Sequence, residues 1–270
     1  MTNLFDLKNK KILITGGTGV LGTAWSRYLA QEGARIIILG INQAEGDALV
    51  QQIKSERGYA SFYICDVTKE SSLAKVATEV SQSHQHIDVL INAAGGNKKG
   101  ATITPDQSIF DSDLDALKAI LDLNYIGTYL AIKTFLPLFK DKKGSIINIS
   151  SMSAARPLTR VMGYSSAKAA IDNLTQWLAV EFAQKYGEGL RVNALAPGFF
   201  LTTQNRELLT QADGSYTERG EQIIANTPMG RFGTPEELLG AMHYLCSEAS
   251  KFVTGTIMAI DGGFGAYSGV

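Results

Sequence analysis

The chain has 270 residues, of which 45% are hydrophobic and 19% charged, so it can bury a large core and is not expected to be disordered. Its net charge of −1 gives no electrostatic reason for binding nucleic acid or an anionic membrane. Cys65 and Cys246 have neither paired nor metal-like spacing, and no apolar run reaches the roughly 20 residues that cross a bilayer. With no apolar signal-peptide core at its start, the sequence predicts a cytoplasmic protein without a metal site and without a membrane or nucleic-acid partner.

The first motif is a glycine-rich loop between a predicted strand, residues 11–15, and a helical pattern that runs to about residue 32. Gly17, Gly19 and Gly22 satisfy the spacing of a dinucleotide-binding fingerprint in this strand–loop–helix context. Such glycines let backbone amides approach a pyrophosphate at the positive end of a helix, although glycine loops also form ordinary tight turns. The predicted nucleotide contacts in the loop are Gly16, Gly17, Thr18, Gly19, Val20, Leu21 and Gly22.

The second predicted strand, residues 35–39, ends in Gly40-Ile41-Asn42. Dinucleotide-binding proteins usually place an acidic residue here, where it binds the adenosine ribose 2′-hydroxyl. This chain has no carboxylate at these positions to repel a 2′-phosphate, and no lysine or arginine to attract one. Asn42 is therefore the candidate ribose contact, and the sequence leaves NAD and NADP open.

Two further strand ends carry candidate residues. A predicted helix, residues 43–56, and a strand, residues 61–64, precede Cys65-Asp66-Val67. The simplest role of Asp66 is to cap the next predicted helix, residues 69–83. The following strand, residues 87–91, leads into Asn92-Ala93-Ala94-Gly95 and then a loop, residues 96–100, that we expect to border the site.

Residues 114–140 have helical periodicity that contains Asn124. Asparagine is a poor residue for a helix interior, because its side chain competes for backbone hydrogen bonds. The sequence therefore predicts either a tolerated polar residue at a kink or a functional asparagine at this position.

The central motif consists of Ser151, Tyr164 and Lys168. Ser151 closely follows the predicted strand 145–149, and Tyr164 and Lys168 are four positions apart at the start of a predicted helix that runs to about residue 186. Residues at this spacing share one helical face. An ammonium beside a phenol favours the phenolate and lowers the phenol pKa, and a serine hydroxyl can bind the same substrate oxygen. Although YxxxK also occurs by chance, this set predicts proton transfer on an alcohol or carbonyl oxygen.

The remaining elements complete an alternating pattern. A strand at residues 190–195 precedes Ala196-Pro197-Gly198, and Thr234-Pro235 begins a helix that runs to about residue 247. A last strand is expected at residues 256–260. Because strands alternate with helices throughout, residues 1–270 are predicted to form a single α/β domain, a doubly wound parallel sheet (Rossmann fold) of about seven strands with helices on both faces.

The order and spacing of Ser151, Tyr164 and Lys168, together with the glycine-rich loop, resemble the classical short-chain dehydrogenase/reductase family over essentially the whole chain. The resemblance implies an NAD(P)-dependent alcohol/ketone oxidoreductase. In it, Tyr164 is the acid/base, Lys168 also binds the nicotinamide ribose, and Ser151 orients the substrate oxygen. It further implies that Asn124 helps to hold a water molecule that links the lysine to bulk solvent.

The resemblance also implies cofactor contacts outside the glycine loop. Asp66 resembles the family aspartate at the adenine, residues 92–95 match the family's NAAG, and Pro197-Gly198 with Thr202 match PGxxxT at the nicotinamide. A simple strand-ending turn is the alternative for the last motif. The implied contacts are Asn42, Asp66, Val67, Asn92, Ala93, Ala94, Gly95, Tyr164, Lys168, Pro197, Gly198, Phe200 and Thr202.

Two regions carry further implications. The irregular segment, residues 203–231, corresponds to a mobile lid that selects substrate, and lids exclude water from a site. The helix patterns at 114–140 and 164–186 correspond to a dimer face, so we expect a homo-oligomer, either a dimer or a tetramer.

The glycine loop departs from the family's TGxxxGxG, because Val20 stands where a glycine is usual. With Gly19, the loop is similar to that of the extended branch, which contains sugar-nucleotide epimerases.

Several stretches resemble bacterial D-mannonate oxidoreductases (fructuronate reductases) of this family, namely residues 95–97, 156–160, 197–206 and the C-terminal AYSGV. The resemblance implies a sugar-acid substrate, with a polyol or 3-oxo compound as the alternative. An extended-type epimerase and a non-catalytic nucleotide-binding regulator are less favoured. An arginine fork matches a carboxylate, so the expected substrate contacts are Asn97, Ser151, Arg156, Arg160 and Arg206.

Overall fold

The computed structural model describes residues 3–202 and 205–269. Seven strands pair in parallel in the order β3-β2-β1-β4-β5-β6-β7, as the alternating sequence pattern predicts. The strands are β1 (Lys11–Thr15), β2 (Arg35–Gly40), β3 (Tyr59–Ile64), β4 (Val89–Asn92), β5 (Gly144–Ile149), β6 (Leu190–Pro197) and β7 (Ile257–Ile260).

Helices cover both faces of this sheet. They are α1 (Val20–Gln31), α2 (Gln43–Ser55), α3 (Glu70–His84), α4 (Leu114–Leu121), α5 (Gly127–Phe135), α6 (Met162–Tyr186), α7 (Arg206–Leu209), α8 (Glu218–Ala225) and α9 (Leu239–Cys246). None of the described helices is long and apolar enough to cross a membrane.

The buried side chains of β1 explain the two helical layers. Ile12 and Ile14 pack in a core with Trp25 of α1, whereas Leu13 between them belongs to the opposite core with Phe135 of α5. Successive strand residues point to opposite faces, so a continuous apolar strand can support helices on both sides. The strand order reverses beside β1, and ligands of doubly wound sheets bind at the strand ends at such a switch point.

The helix predicted at residues 114–140 is present as a continuous helical run from Leu114 to Leu138, with a π-helical turn inside it. α4 ends at Leu121, a π-helical turn spans Asp122–Ile126, and α5 ends at Phe135 before a short 3₁₀ turn that contains Pro137. The amide of Asn124 donates hydrogen bonds to the Ile120 carbonyl at 3.0 Å and to the Gly96 carbonyl at 2.9 Å. This side-chain bonding within the helix accompanies the π turn, a feature that is frequent at functional sites.

Other boundaries moved by one or two residues. β3 begins at Tyr59 rather than at residue 61, and β4 begins at Val89 because Ile87 forms only an isolated bridge to Phe139. The segment 205–231 is more regular than its sequence suggests, since it contains α7 and α8. Thr203 and Gln204, at the start of the predicted lid, lie outside the described residues.

Candidate active site

The glycine-rich loop lies between β1 and α1 and packs against the end of β4. Gly16 has a φ of +63°, and a Cβ atom there would lie 2.7 Å from the Ala94 Cα atom. A Cβ atom on Gly22 would lie 2.3 Å from the Gly16 carbonyl oxygen. These two glycines are required by the close approach of backbone segments. Gly19 is the N-cap residue of α1, and Val20 is its first helical residue.

The first turn of α1 fits the pyrophosphate of a dinucleotide. No side chain caps this helix, so the N–H groups of its first turn stay available to an anion. A cavity of about 380 Å³ adjoins the turn. Its lining consists of Gly16, Gly19, Val20, Leu21, Gly22, Ala93, Ala94, Gly95, Gly96, Ile149, Ser150, Ser151, Tyr164, Lys168, Pro197, Gly198, Phe199, Phe200, Thr202 and Asn205.

Ser151 reaches this cavity from the end of β5. It is the N-cap of a short 3₁₀ turn, Met152–Ala154, and its hydroxyl oxygen accepts hydrogen bonds from the Ser153 N–H at 3.2 Å and the Ser153 hydroxyl at 3.0 Å. Ser151 therefore both caps this turn and lines the cavity. These contacts orient its hydroxyl, which also contacts the Tyr164 phenol and lowers the phenol pKa.

Tyr164 and Lys168 lie on the first turns of α6. The Lys168 ammonium is 5.5 Å from the centroid of the Tyr164 ring and donates a 2.7 Å hydrogen bond to the Ile149 carbonyl. Lys168 is only 4% exposed, and burial lowers its pKa to about 8. Burial raises the pKa of Tyr164 above its usual value, and this effect outweighs the hydrogen bond from Ser151.

The tyrosine differs here from the sequence-based expectation. We expected the lysine to lower the pKa of the Tyr164 phenol toward neutral pH. In this structure the effect of desolvation on that pKa is larger, and the Lys168 ammonium donates to a backbone carbonyl rather than to the phenol oxygen. In this arrangement Tyr164 is a neutral proton donor at physiological pH, and the nearby cation is in place to favour the phenolate once it forms.

Asn124 joins the site through the loop after β4. Its Oδ1 atom accepts a 3.0 Å hydrogen bond from the Gly96 N–H, and its backbone carbonyl accepts the Thr128 hydroxyl at 2.8 Å. A Cβ atom on Gly95 would lie 2.6 Å from Asn124 Oδ1 and 3.4 Å from Lys168 Nζ. The small residue at position 95 therefore lets the asparagine and the lysine approach the same strand end.

Several predicted cofactor contacts do not line the cavity and have local partners instead. Asn42 is the N-cap of α2, where its side chain accepts the Ala44 N–H at 3.0 Å. Asp66 accepts the Thr68 N–H and hydroxyl at 3.0 and 2.7 Å, and these contacts lower its pKa. Val67 is buried in the core against Gly127. The Asn92 amide donates to Asn148 at 2.9 Å inside the sheet.

Gly17 and Thr18 also lie outside the cavity lining, on the strand side of the loop. Gly17 donates a 3.0 Å backbone hydrogen bond to Leu39, and the Thr18 carbonyl accepts the Thr23 hydroxyl at 3.2 Å. Gly17 and Thr18 therefore hold the loop in place on the side away from the cavity. The loop residues that line the cavity are Gly16, Gly19, Val20, Leu21 and Gly22.

On the opposite wall, the segment after β6 brings four of the predicted cofactor contacts, Pro197, Gly198, Phe200 and Thr202, to the cavity. Thr202 donates its hydroxyl to Asn205 Oδ1 at 3.2 Å, and the Asn205 amide donates to the Phe200 carbonyl at 2.8 Å. Asn205 thus fixes the turn that presents the threonine.

The candidate substrate residues outside the catalytic set are dispersed. Arg156 donates to the Gly265 carbonyl at 3.3 Å, and Arg206 is an exposed residue of α7. Asn97 donates to Thr102 at 3.0 Å within its own loop. Arg160 has a φ of +73°. Burial lowers the pKa of Arg219 of α8, and the charge of Arg160 adds to this effect.

Several residues of this region were not predicted from the sequence. Phe199 and Asn205 lie within stretches whose other residues form the predicted motifs, and Ser150 is adjacent to Ser151. Arg219 had no motif signal. Asp172 did have one, because it continues the four-residue spacing of Tyr164 and Lys168 along α6.

A family model described as Enoyl-(Acyl carrier protein) reductase matches residues 18–265. The chain belongs to the short-chain dehydrogenase/reductase family. An uncharacterized oxidoreductase, UxuB of Bacillus subtilis (strain 168), is 44% identical over 275 residues and covers 98% of each chain. Members of this family carry out NAD(P)-dependent redox chemistry, so the predicted family, fold class, enzyme class and cofactor class are confirmed, and the preference between NAD and NADP stays open.

Two solved structures with similar folds are informative. One is a proposed D-mannonate oxidoreductase from Haemophilus influenza with bound NAD, with a TM-score of 0.92, 42% identity and 98% coverage of both chains. The other is a gluconate 5-dehydrogenase from Burkholderia cenocepacia J2315 in complex with NADP and tartrate, with a TM-score of 0.84, 28% identity and coverage of 97% of this chain and 98% of the other. The similarity to both is full-length, so the epimerase-like spacing of the glycine loop does not extend to the architecture.

Proposed function

We propose that this oxidoreductase transfers a hydride between NAD(P) and the alcohol or ketone group of a sugar acid, with D-mannonate and D-fructuronate as the pair. The observation that carries the reaction class is the meeting of Ser151, Tyr164 and Lys168 on one wall of a cavity whose floor is an uncapped helix N-terminus. The sugar-acid substrate is supported by the names of the D-mannonate and gluconate relatives.

The bound nicotinamide ring supplies or accepts the hydride, and the protein supplies position and proton transfer. In the reductive direction, Tyr164 donates its proton to the carbonyl oxygen, and its raised pKa keeps that proton available. Ser151 donates a hydrogen bond to the same oxygen. The Lys168 ammonium stabilises the phenolate that remains, and it binds the cofactor ribose.

Proton resupply is the role we assign to Asn124. Asn124 lies within the π-helical turn Asp122–Ile126, and the Thr128 hydroxyl uses one of the two acceptor positions of the Asn124 backbone carbonyl. The remaining position can hold a water molecule between the lysine and bulk solvent.

For the substrate carboxylate, Arg160 and Arg219 are better candidates than Arg156 or Arg206. Arg219 lies one helical turn before Ile223, and Ile223 packs in a small cluster with Phe199, a cavity residue. Within residues 3–202 and 205–269, neither Arg160 nor Arg219 forms an ion pair with a carboxylate. Two neighbouring guanidinium groups without a counter-ion favour an anionic ligand.

A polyol is the second candidate, and the cavity itself favours it. Among the described lining residues Lys168 is the only cationic side chain, so the cavity as it stands presents no arginine to a carboxylate. A sugar-acid substrate therefore requires the segment that carries α8 to bring Arg219 closer to the cavity when the substrate binds.

An activity panel separates these substrates. The purified protein should reduce D-fructuronate with NADH or NADPH at a kcat/KM well above that for uncharged ketoses, and it should oxidise D-mannonate in reverse. Equal turnover of D-mannonate and the uncharged hexitol would support the polyol instead. Failure to oxidise or reduce any sugar acid, polyol or 3-oxo compound would refute the proposed reaction class.

We also propose a cytoplasmic homo-oligomer. Trp177 and Val180 of α6 and Tyr129 of α5 are exposed large apolar residues on neighbouring helices, and an exposed apolar patch of this kind often marks a subunit interface. Sedimentation analysis would distinguish a dimer or tetramer from a monomer.

A further inference from the structure

Asp172 is an acidic residue directly beyond the predicted catalytic set on α6. Tyr164, Lys168 and Asp172 follow one another at four-residue intervals, which places all three on one helical face. Asp172 is half-buried, and its Oδ1 atom is buried without a hydrogen-bond partner. A buried acceptor without a partner costs free energy, so it requires a structural or functional explanation.

A second orphaned oxygen lies beside this carboxyl group. Ser150 is fully buried at the end of β5, next to Ser151, and its hydroxyl also has no partner of full hydrogen-bond geometry in this structure. It is nevertheless close enough to Asp172 to lower the pKa of the carboxyl group. The strand end that delivers Ser151 to the cavity therefore also places a hydroxyl against Asp172.

The charges of Lys168 and Asp172 shift each other's pKa in the direction opposite to the shift that burial causes. Burial is the largest effect on both groups; it lowers the pKa of the lysine and raises that of the aspartate. The carboxylate charge of Asp172 raises the lysine pKa, and the ammonium charge of Lys168 lowers the aspartate pKa. Their charged atoms do not form an ion pair within 4.0 Å in the described structure, since the ammonium donates to the Ile149 carbonyl.

Other charged groups near α6 do not take this role. The elements packed against α6 present Asp115 and Lys118 of α4, which pair with each other at 3.5 Å at the surface, and Asp122, which is exposed. Arg191 of β6 donates to the Leu245 and Ser247 carbonyls at 3.2 and 3.3 Å. Among the residues described, Asp172 is the only charged group that acts on the Lys168 pKa.

We propose that Asp172 is a positioning residue of the active site, that its carboxylate is the counter-charge of the Lys168 ammonium, and that Ser150 orients this carboxylate. Asp172 touches neither substrate nor cofactor in this arrangement; it acts through the lysine. The inference rests on the proposed function, because the lysine charge matters only if Lys168 serves a nicotinamide cofactor.

The test is the pH dependence of cofactor affinity without substrate. NADH binding, or NADPH binding if that cofactor is preferred, should weaken in the wild type as the pH rises through the Lys168 pKa of about 8. Asp172→Asn keeps the shape but removes the charge. Because the lysine then loses a partner that raises its pKa, the midpoint should move down by about 1 pH unit. Affinity at pH 6, where the lysine is charged in both proteins, should change little.

Asp172→Glu, which restores a carboxylate, should recover most of the shift. Glu181→Gln removes a carboxylate from the same helix, where Glu181 pairs with Lys185, and should leave the midpoint in place. If Asp172→Asn does not fold, Asp172→Ser offers a smaller neutral replacement with the same expected shift.

The outcomes separate this inference from the proposed function. An unchanged midpoint in folded Asp172→Asn would overturn the role of Asp172 while the proposed function stands. An equal loss of affinity at every pH would show that the carboxylate only supports helix packing, and would also overturn it. If the wild type binds neither NADH nor NADPH, both proposals fall together.

Discussion

The two walls of the cavity differ in burial and in how their polar groups are satisfied. The wall formed by β5 and α6 is enclosed, with Lys168 and Ser150 at 4% and 1% exposure. The wall formed by the chain after β6 ends in the short helices α7 and α8, and its arginines lie partly or fully exposed. The enclosed wall can carry chemistry common to the family, whereas the exposed wall can change to suit a substrate.

This contrast follows from electrostatics. On the buried wall, removal from water shifts the pKa values of Tyr164, Lys168 and Asp172, so small changes in charge have large consequences. On the exposed wall, solvent screens each charge, so binding energy there must come from several groups or from closure of the segment over the ligand. Substitutions should therefore have larger effects on the first wall than on the second.

The largest expected effect comes from the buried wall. Tyr164→Phe keeps the ring but removes the transferable proton, and positioned acid catalysis is typically worth about 10²–10⁴-fold. Turnover should fall by at least that factor while NADH binding, measured by fluorescence, stays close to that of the wild type. Tyr129→Phe, at an exposed position of α5, is the control. A Tyr164→Phe enzyme with wild-type turnover would remove the phenol from the mechanism.

The elements that form the buried wall were predicted well from the sequence. The β5 strand, the start of α6 and the shared face of Tyr164 and Lys168 follow from apolar runs and a four-residue spacing, which depend on local geometry. The seven-stranded parallel order follows from the alternation of strands and helices. The π turn at Asn124 could be anticipated only as a kink, because the Asn124 side chain that accompanies it bonds to a loop 28 residues away in sequence.

The placement of the arginines was predicted less well for a physical reason. Arg156 and Arg206 were selected by their position in sequence, but Arg156 contacts the carbonyl of Gly265, far along the chain. Arg219 had no local signal, since its proximity to Arg160 arises from how α8 packs. The pKa of Tyr164 also depends on how completely the surrounding elements enclose it, which spacing along a helix does not reveal.

An intermediate effect is expected at the paired arginines. If Arg160 and Arg219 bind a substrate carboxylate, replacing either by alanine removes a charged hydrogen bond worth about 1.5–3 kcal/mol, or about 10- to 100-fold in kcat/KM for the sugar acid. The uncharged hexitol should lose little. Arg206→Ala is the matched control on α7. If all three variants stay within a few-fold of wild type on the acid, the carboxylate site is not formed by these arginines, and the polyol reading is favoured.

The smallest expected effect lies at the end of β2, where the cofactor ribose is expected. Gly40 cannot be used as the test position, because a Cβ atom there would lie 2.9 Å from the Thr18 hydroxyl and 3.2 Å from the Phe62 ring. Ile41 is 78% exposed and accepts a new side chain without displacing the core. Ile41→Asp places a carboxylate where dinucleotide-binding proteins bind the 2′-hydroxyl, and it should repel a 2′-phosphate. Between charges in solvent this repulsion is about 1 kcal/mol at 4 Å, so the NAD-to-NADP ratio of kcat/KM should rise by about 5-fold.

Ile41→Asn, with the same shape and no charge, should leave the ratio close to that of the wild type. If the NAD-to-NADP ratio is unchanged in Ile41→Asp, the adenosine end of the cofactor contacts other residues. Asn42 would then serve only as the cap of α2.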